Sequence, residues 1–63
     1  MARYIVTTRF KDGSERTYQF NNRDYALQLF ACGVEHDNII KSVSVYDFVE
    51  RAVILDSKKY VTQ

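Results

Sequence analysis

Residues 3–10, Arg-Tyr-Ile-Val-Thr-Thr-Arg-Phe, alternate in polarity and are rich in β-branched and aromatic side chains, and residues 16–20 have the same character beyond Lys11-Asp12-Gly13. This is the pattern of a β-hairpin. Its register follows from matching like with like. A two-residue Asp12-Gly13 turn sets Val6 opposite Gln19 and Thr7 opposite Tyr18. A three-residue Lys11-Asp12-Gly13 loop, with Gly13 in the left-handed position, sets Val6 opposite Tyr18 and Tyr4 opposite Phe20. The second register is preferred. It predicts an inner face of Tyr4, Val6, Phe10, Tyr18 and Phe20, and an outer face of Ile5, Thr7, Arg9, Glu15, Thr17 and Gln19.

The pattern then changes period. Asn21 is a candidate cap for a helix over about 22–32, with Asp24 favoured near its positive end and Gly33 as a left-handed stop. At 100° per residue Tyr25, Ala26, Leu27, Leu29, Phe30 and Cys32 form a stripe of roughly 220°, leaving Asp24, Gln28 and Ala31 opposite. So wide a stripe implies either a helix sunk deeply into a curved sheet or a flank, Tyr25 with Cys32, that meets a second chain.

A polar loop over 34–38 leads to a third strand from Ile39 through Val43, Val45 and Tyr46 to about Phe48. The stretch Val49-Glu50-Arg51 turns the chain into a short fourth strand, 52–56, followed by a tail from Lys58. Because 47–55 lacks Gly and Asn, a helical turn there is the alternative. Placing strand three beside strand one makes every pairing antiparallel, in the order 2-1-3-4. The fold class expected is α+β, a ββαββ unit in which one helix covers one face of a four-stranded sheet. The other face, with Ile5, Thr7, Thr17, Gln19, Ser42, Ser44, Tyr46, Phe48 and Ile54, is left uncovered.

Composition narrows the reading. The chain has 63 residues, 46% of them hydrophobic and 27% charged, which fits one globular domain over 1–63 near the lower size limit for independent folding. One Cys and one His provide neither an internal disulfide nor a structural zinc site, so dimerisation is the stabilising device expected. No run of 18 apolar residues occurs and the first ten residues alternate, so neither a membrane span nor a signal peptide is read, and a cytoplasmic location is expected. A net charge of +1 selects no polyanionic partner.

Candidate chemistry is sparse. Cys32, Glu35, His36 and Asp37 combine thiol, imidazole and carboxylate, but a core thiol beside a surface histidine accounts for them. Gly13 and Gly33 stand apart and make no phosphate loop. No catalytic group, metal or cofactor is expected. Tyr46 and Phe48 flanked by Arg9, Lys11, Arg16 and Lys41 suit single-stranded nucleic acid, but acidic residues interleave with these cations. Aromatics among Thr and Ser suit a protein interface better. The partner-binding residues expected are Thr7, Tyr46 and Phe48, with Arg9 and Lys41 at the rim, acting in homodimerisation or in docking on another protein. A structural part of a larger assembly is a further alternative.

The succession Phe10-Lys11-Asp12-Gly13-Ser14, Tyr18-Gln19-Phe20-Asn21, an Ala-Leu helix and Lys41-Ser42-Val43-Ser44-Val45-Tyr46-Asp47 resembles short uncharacterised reading frames of bacteriophages and other mobile elements. The resemblance spans most of the chain at the level of pattern. It implies an inhibitor that occupies a surface of a host enzyme or defence complex in the host cytoplasm. Inhibitors of that kind that mimic DNA are strongly acidic and this chain is not, so a protein surface is the implied target.

Overall fold

The computed structural model describes residues 2–60, and the end of the expected tail, 61–63, lies outside them. The elements are β1 (Tyr4–Phe10), β2 (Glu15–Phe20), α1 (Arg23–Glu35), β3 (Ile40–Asp47), β4 (Ala52–Asp56) and a single helical turn, α2 (Ser57–Tyr60). The strands form one antiparallel sheet in the order β2-β1-β3-β4, as expected.

The first hairpin has the predicted three-residue loop. The Phe10 N–H donates to Ser14 O at 2.9 Å, and the Gly13 N–H donates to Phe10 O at 3.1 Å. Gly13 has φ +94, a conformation that costs residues with a Cβ about 1–2 kcal/mol. Asp12 braces the loop by accepting from the Ser14 N–H and hydroxyl at 2.8 and 2.6 Å. Tyr4 therefore faces Phe20 and Val6 faces Tyr18.

The helix differs from the expectation at both ends. Its cap is Asn22, one residue later than Asn21. Asn22 has the extended backbone a cap needs, and its side-chain oxygen accepts from the Asp24 N–H at 2.8 Å. Gly33 is not a stop: it is a buried helical residue, and the helix runs on to Glu35. The reason is packing. A Cβ at Gly33 would lie 3.1–3.3 Å from the Val43 side chain, so glycine is where α1 touches β3. His36 ends the helix, its N–H donating to Cys32 O and Gly33 O and its carbonyl accepting from the N–H groups of Ile39 and Ile40.

Val6, Val43, Val45 and Ala26 are fully buried between helix and sheet, with Tyr4 nearly so. Each valine contributes about 1.5–3 kcal/mol by leaving water. Phe20, Leu29, Phe30, Ile54 and Leu55 pack around them. The far side of the helix stripe stays in solvent: Tyr25 is 60% exposed, and Cys32 is exposed rather than a core thiol.

The second hairpin forms without Gly or Asn, which resolves the alternatives for 47–55. Arg51 takes the left-handed conformation (φ 56), and Asp47 Oδ1 accepts from the N–H groups of Val49 (2.8 Å) and Glu50 (3.4 Å). A register shift between Val45 and Tyr46 brings Val53, not Ile54, opposite Tyr46, so Ile54 joins the core and Val53 the outer face. The chain after β4 is not a loose tail either: Ser57 Oγ accepts from the Val43 N–H at 2.9 Å and Asp56 caps the turn through the Lys58 N–H at 3.0 Å.

Gly33→Ala is expected to cost about 1 kcal/mol, because overpacking of about 1–3 kcal/mol outweighs the gain of about 1 kcal/mol in helix propensity. In a Val43→Ala background the loss should shrink by about 0.5 kcal/mol or more, since two of the three close contacts come from the valine methyls. Urea unfolding of the four chains measures both. An unchanged cost in the two backgrounds would remove close approach as the reason for the glycine.

Candidate interaction surface

The register arranges the outer face in cross-strand rows. Gln19, Ile5, Tyr46 and Val53 form one row, Thr17, Thr7 and Ser44 the next, and Glu15, Arg9 and Ser42 the third. Beyond the first row, the Phe48 N–H donates to Arg3 O at 2.8 Å, and the Phe48 ring meets Tyr46 edge-to-face with centroids 5.0 Å apart and planes at 77°. The face is thus graded, apolar at the Phe48 end, hydroxylic in the middle and ionic at the Arg9 end. Phe48 and Val53 remain 40% and 47% exposed, Ile5, Thr7 and Tyr46 half-buried. Ser42 at the other end is buried and α2 contacts β3, so the open part of this face is the stretch around Tyr46, Phe48 and Val53.

The five residues singled out from the sequence fall into two groups. Thr7, Tyr46 and Phe48 are near neighbours, because Thr7 is diagonal to Tyr46 across the β1–β3 ladder. Arg9 stands at the opposite end and is already occupied, its Nε donating to Glu15 Oε2 at 2.8 Å. Lys41 is skipped by the β1–β3 register and lines a cleft of about 170 Å³ between Gly33, Val34, Asp37 and Ser57. Val53 was not legible as part of the surface. Strict alternation assigns Ile54 to it, and only a bulge corrects the parity.

One acidic group has a structural task. Asp47 is buried at the end of β3, its side chain 4% exposed, and its two oxygens accept from Arg3 Nε at 3.1 Å and Nη2 at 3.2 Å. The Arg3 guanidinium also lies 5.0 Å from the Tyr4 ring centroid. Chiefly the Arg3 hydrogen bonds, and then the Val49 and Glu50 N–H groups, hold the Asp47 carboxyl below its ordinary range despite burial, which acts the other way. Asp47 therefore ties the start of β1 to the β3–β4 turn beside the aromatic pair.

The thiol of Cys32 and the imidazole of His36 lie close together at the C-terminal end of α1, and the ring also faces a backbone carbonyl. Cys32 Sγ lies 3.7 Å from His36 Nδ1, but Nδ1 is 2.8 Å from the Cys32 carbonyl, which only accepts. In the tautomer protonated at Nδ1 the ring donates to that carbonyl and has no lone pair there for the thiol proton. Among the described residues no three His, Cys, Asp or Glu side chains converge as metal ligands. The cleft beside Lys41 is smaller than the roughly 300 Å³ of small-molecule pockets, and the depression lined by Phe10, Lys11, Asp12, Asn38 and Ile39, about 390 Å³, is shallow.

Comparison with protein-family models, curated proteins and solved structures finds no match. Among the described residues no helix is long and apolar enough to cross a membrane.

The Asp47 pairing has a pH signature. A carboxyl whose native pKa is depressed stabilises the fold above the unfolded value near pH 4 and loses that contribution as pH falls through the lower native pKa. The melting temperature should accordingly rise between pH 2 and pH 5. Asp47→Asn keeps an acceptor for the turn but loses the ionic partner of Arg3, so the rise should be shallower; Asp12, also depressed by its Ser14 bonds, supplies the remainder. Identical pH slopes for the two proteins would show that the pairing contributes nothing.

Proposed function

We propose that the protein is a non-enzymatic binding module that docks on another protein through the outer face of its sheet. The observation that carries this reading is the exposed apolar end of that face, where Ile5, Tyr46, Phe48 and Val53 lie together beside a Thr and Ser row. A rigid aromatic pair with hydroxyls alongside has the composition of an interface centre. Ile5 lies on β1, Tyr46 on β3 and Val53 on β4, and Phe48 is held by its N–H bond to Arg3 O and its ring contact with Tyr46, so the backbone presenting these side chains is already ordered before binding.

Occupation of Arg9 by Glu15 reduces the free positive charge on this face, which favours a protein over a polyanion. The resemblance to small phage reading frames suggests the kind of partner, a host protein whose surface would be blocked.

Tyr46→Ser with Phe48→Ser is expected to weaken partner binding by about 100-fold, two anchor residues each being worth about 1–2 kcal/mol. The fold should persist with a loss of about 1–2 kcal/mol, from the ring contact and partial burial. Quantitative pull-down with wild type and variant, alongside circular dichroism, measures both. Equal capture by the two proteins would remove the face as the binding site, and salt-sensitive binding of a single-stranded oligonucleotide by the wild type would replace the reading with a nucleic-acid one.

A further inference from the structure

The sheet has two edges, and they are not equivalent. β4 is five residues long and carries the register shift, and the chain leaving it folds back so that Ser57 accepts the Val43 N–H. β2 is regular across six residues, has no proline, lysine or bulge, and is exposed from Glu15 to Gln19. Proline, lysine and a bulge ordinarily blunt a sheet edge, and β2 has none of these; its only charges are Glu15, paired with Arg9, and Arg16 on the inner side.

Hydrogen-bond parity shows what β2 offers. The Phe10–Ser14 bond closes the hairpin, and alternation along the antiparallel ladder directs the backbone groups of Arg16, Tyr18 and Phe20 toward β1. The N–H and C=O groups of Glu15, Thr17 and Gln19 therefore point away from the sheet, at a face where no other element lies. A second feature lies on the inner side of the same strand. α1 sits mainly over β3 and β1, and Tyr18, although on the helix side of the sheet, is left 37% exposed.

We infer that β2 pairs antiparallel with β2 of a second copy of this chain, with Thr17 facing Thr17, to give a continuous eight-stranded sheet. Keeping inner faces together and outward-pointing amides in step allows only shifts of two residues. With Thr17 at the centre, Glu15 faces Gln19, Thr17 faces Thr17 and Gln19 faces Glu15. These are three pairs that each exchange two bonds, about six in all. On the inner side Arg16 faces the exposed Tyr18 ring twice, a cation over an aromatic face.

The neighbouring registers are poorer. A Tyr18-centred pairing retains only the two Thr17–Gln19 pairs within the strand, and an Arg16-centred pairing sets Arg16 against Arg16. The second copy is thus selected by self-complementarity of register and of Arg16 with Tyr18, and α1 of each copy stays on the same side. The outer faces join without being covered, so this pairing is separate from the docking role of Tyr46 and Phe48.

Sedimentation velocity on the full chain over a wide concentration range should show a reversible dimer. Thr17→Pro removes only an N–H that the ladder to β1 does not use, so it should leave the circular dichroism spectrum unchanged while weakening the dimer at least 100-fold. Partner capture through Tyr46 and Phe48 should survive in this variant. A readout independent of that variant comes from a Cys32→Ser background, in which Thr17→Cys should crosslink to its own copy with a short bismaleimide in high yield. Gln19→Cys, whose copies lie four residues apart along the strands at about 13 Å, should crosslink poorly. A monomer at every concentration, equal crosslinking at the two positions, or a dimer lost in Tyr46→Ser with Phe48→Ser but intact in Thr17→Pro would each overturn the inference.

Discussion

The distance between helix and sheet is the constraint on which this small fold turns. Val6, Val43 and Val45 are buried completely in a cluster with Ala26, and Gly33 lets α1 approach Val43 closely. Larger residues at those two helix positions would lift α1 and open the layer to water, and a chain of 63 residues has little other apolar surface to compensate. Glycine in a helix costs about 1 kcal/mol against alanine. Here the loss is offset by contact across the central strands.

A single helix held that close covers the two middle strands and little more. The consequences lie at the margins: Tyr18 on β2 is partly uncovered, Tyr25 and Cys32 stand on the solvent flank of α1, and on the opposite side of the sheet Phe48 and Val53 stay exposed. Polar devices finish what packing cannot. Asp47 alone satisfies two turn amides and a guanidinium, Ser57 extends the β3 ladder past the end of β4, and Asp12 braces the first loop. No buried side-chain nitrogen or oxygen among the described residues is left without a partner.

The element order, the sheet order and the first hairpin register could be read directly from alternation and from Gly13, because those signals are local. What escaped reading is non-local. Gly33 resembles a helix stop in sequence, and only its position over Val43 reveals it as a packing residue. Asp47 resembles a surface acid until Arg3, 44 residues away, is seen to pair with it. Arg51 carries no sequence sign of the left-handed turn it makes, and the bulge that exchanges Ile54 for Val53 obeys pairing geometry rather than composition. Thr7, Tyr46 and Phe48 could be grouped from period-two patterning alone. The separation of Arg9 and Lys41 from them required the ion pair and the skipped residue.

The strand order also carries a consequence for how the molecule is made. β1 lies in the middle of the sheet, yet its second neighbour is β3, and the residues they bring together run from Phe10 with Ile40 to Tyr4 with Asp47. The β1–β2 hairpin can close on local contacts within microseconds, whereas the β1–β3 ladder must first close a loop of some thirty residues or more. During synthesis at about 5–20 residues per second, the hairpin therefore waits a second or longer with Val6 and Tyr4 uncovered before Val43 and Val45 leave the ribosome. Until β3 arrives, the valine layer at the centre of the core stays wet.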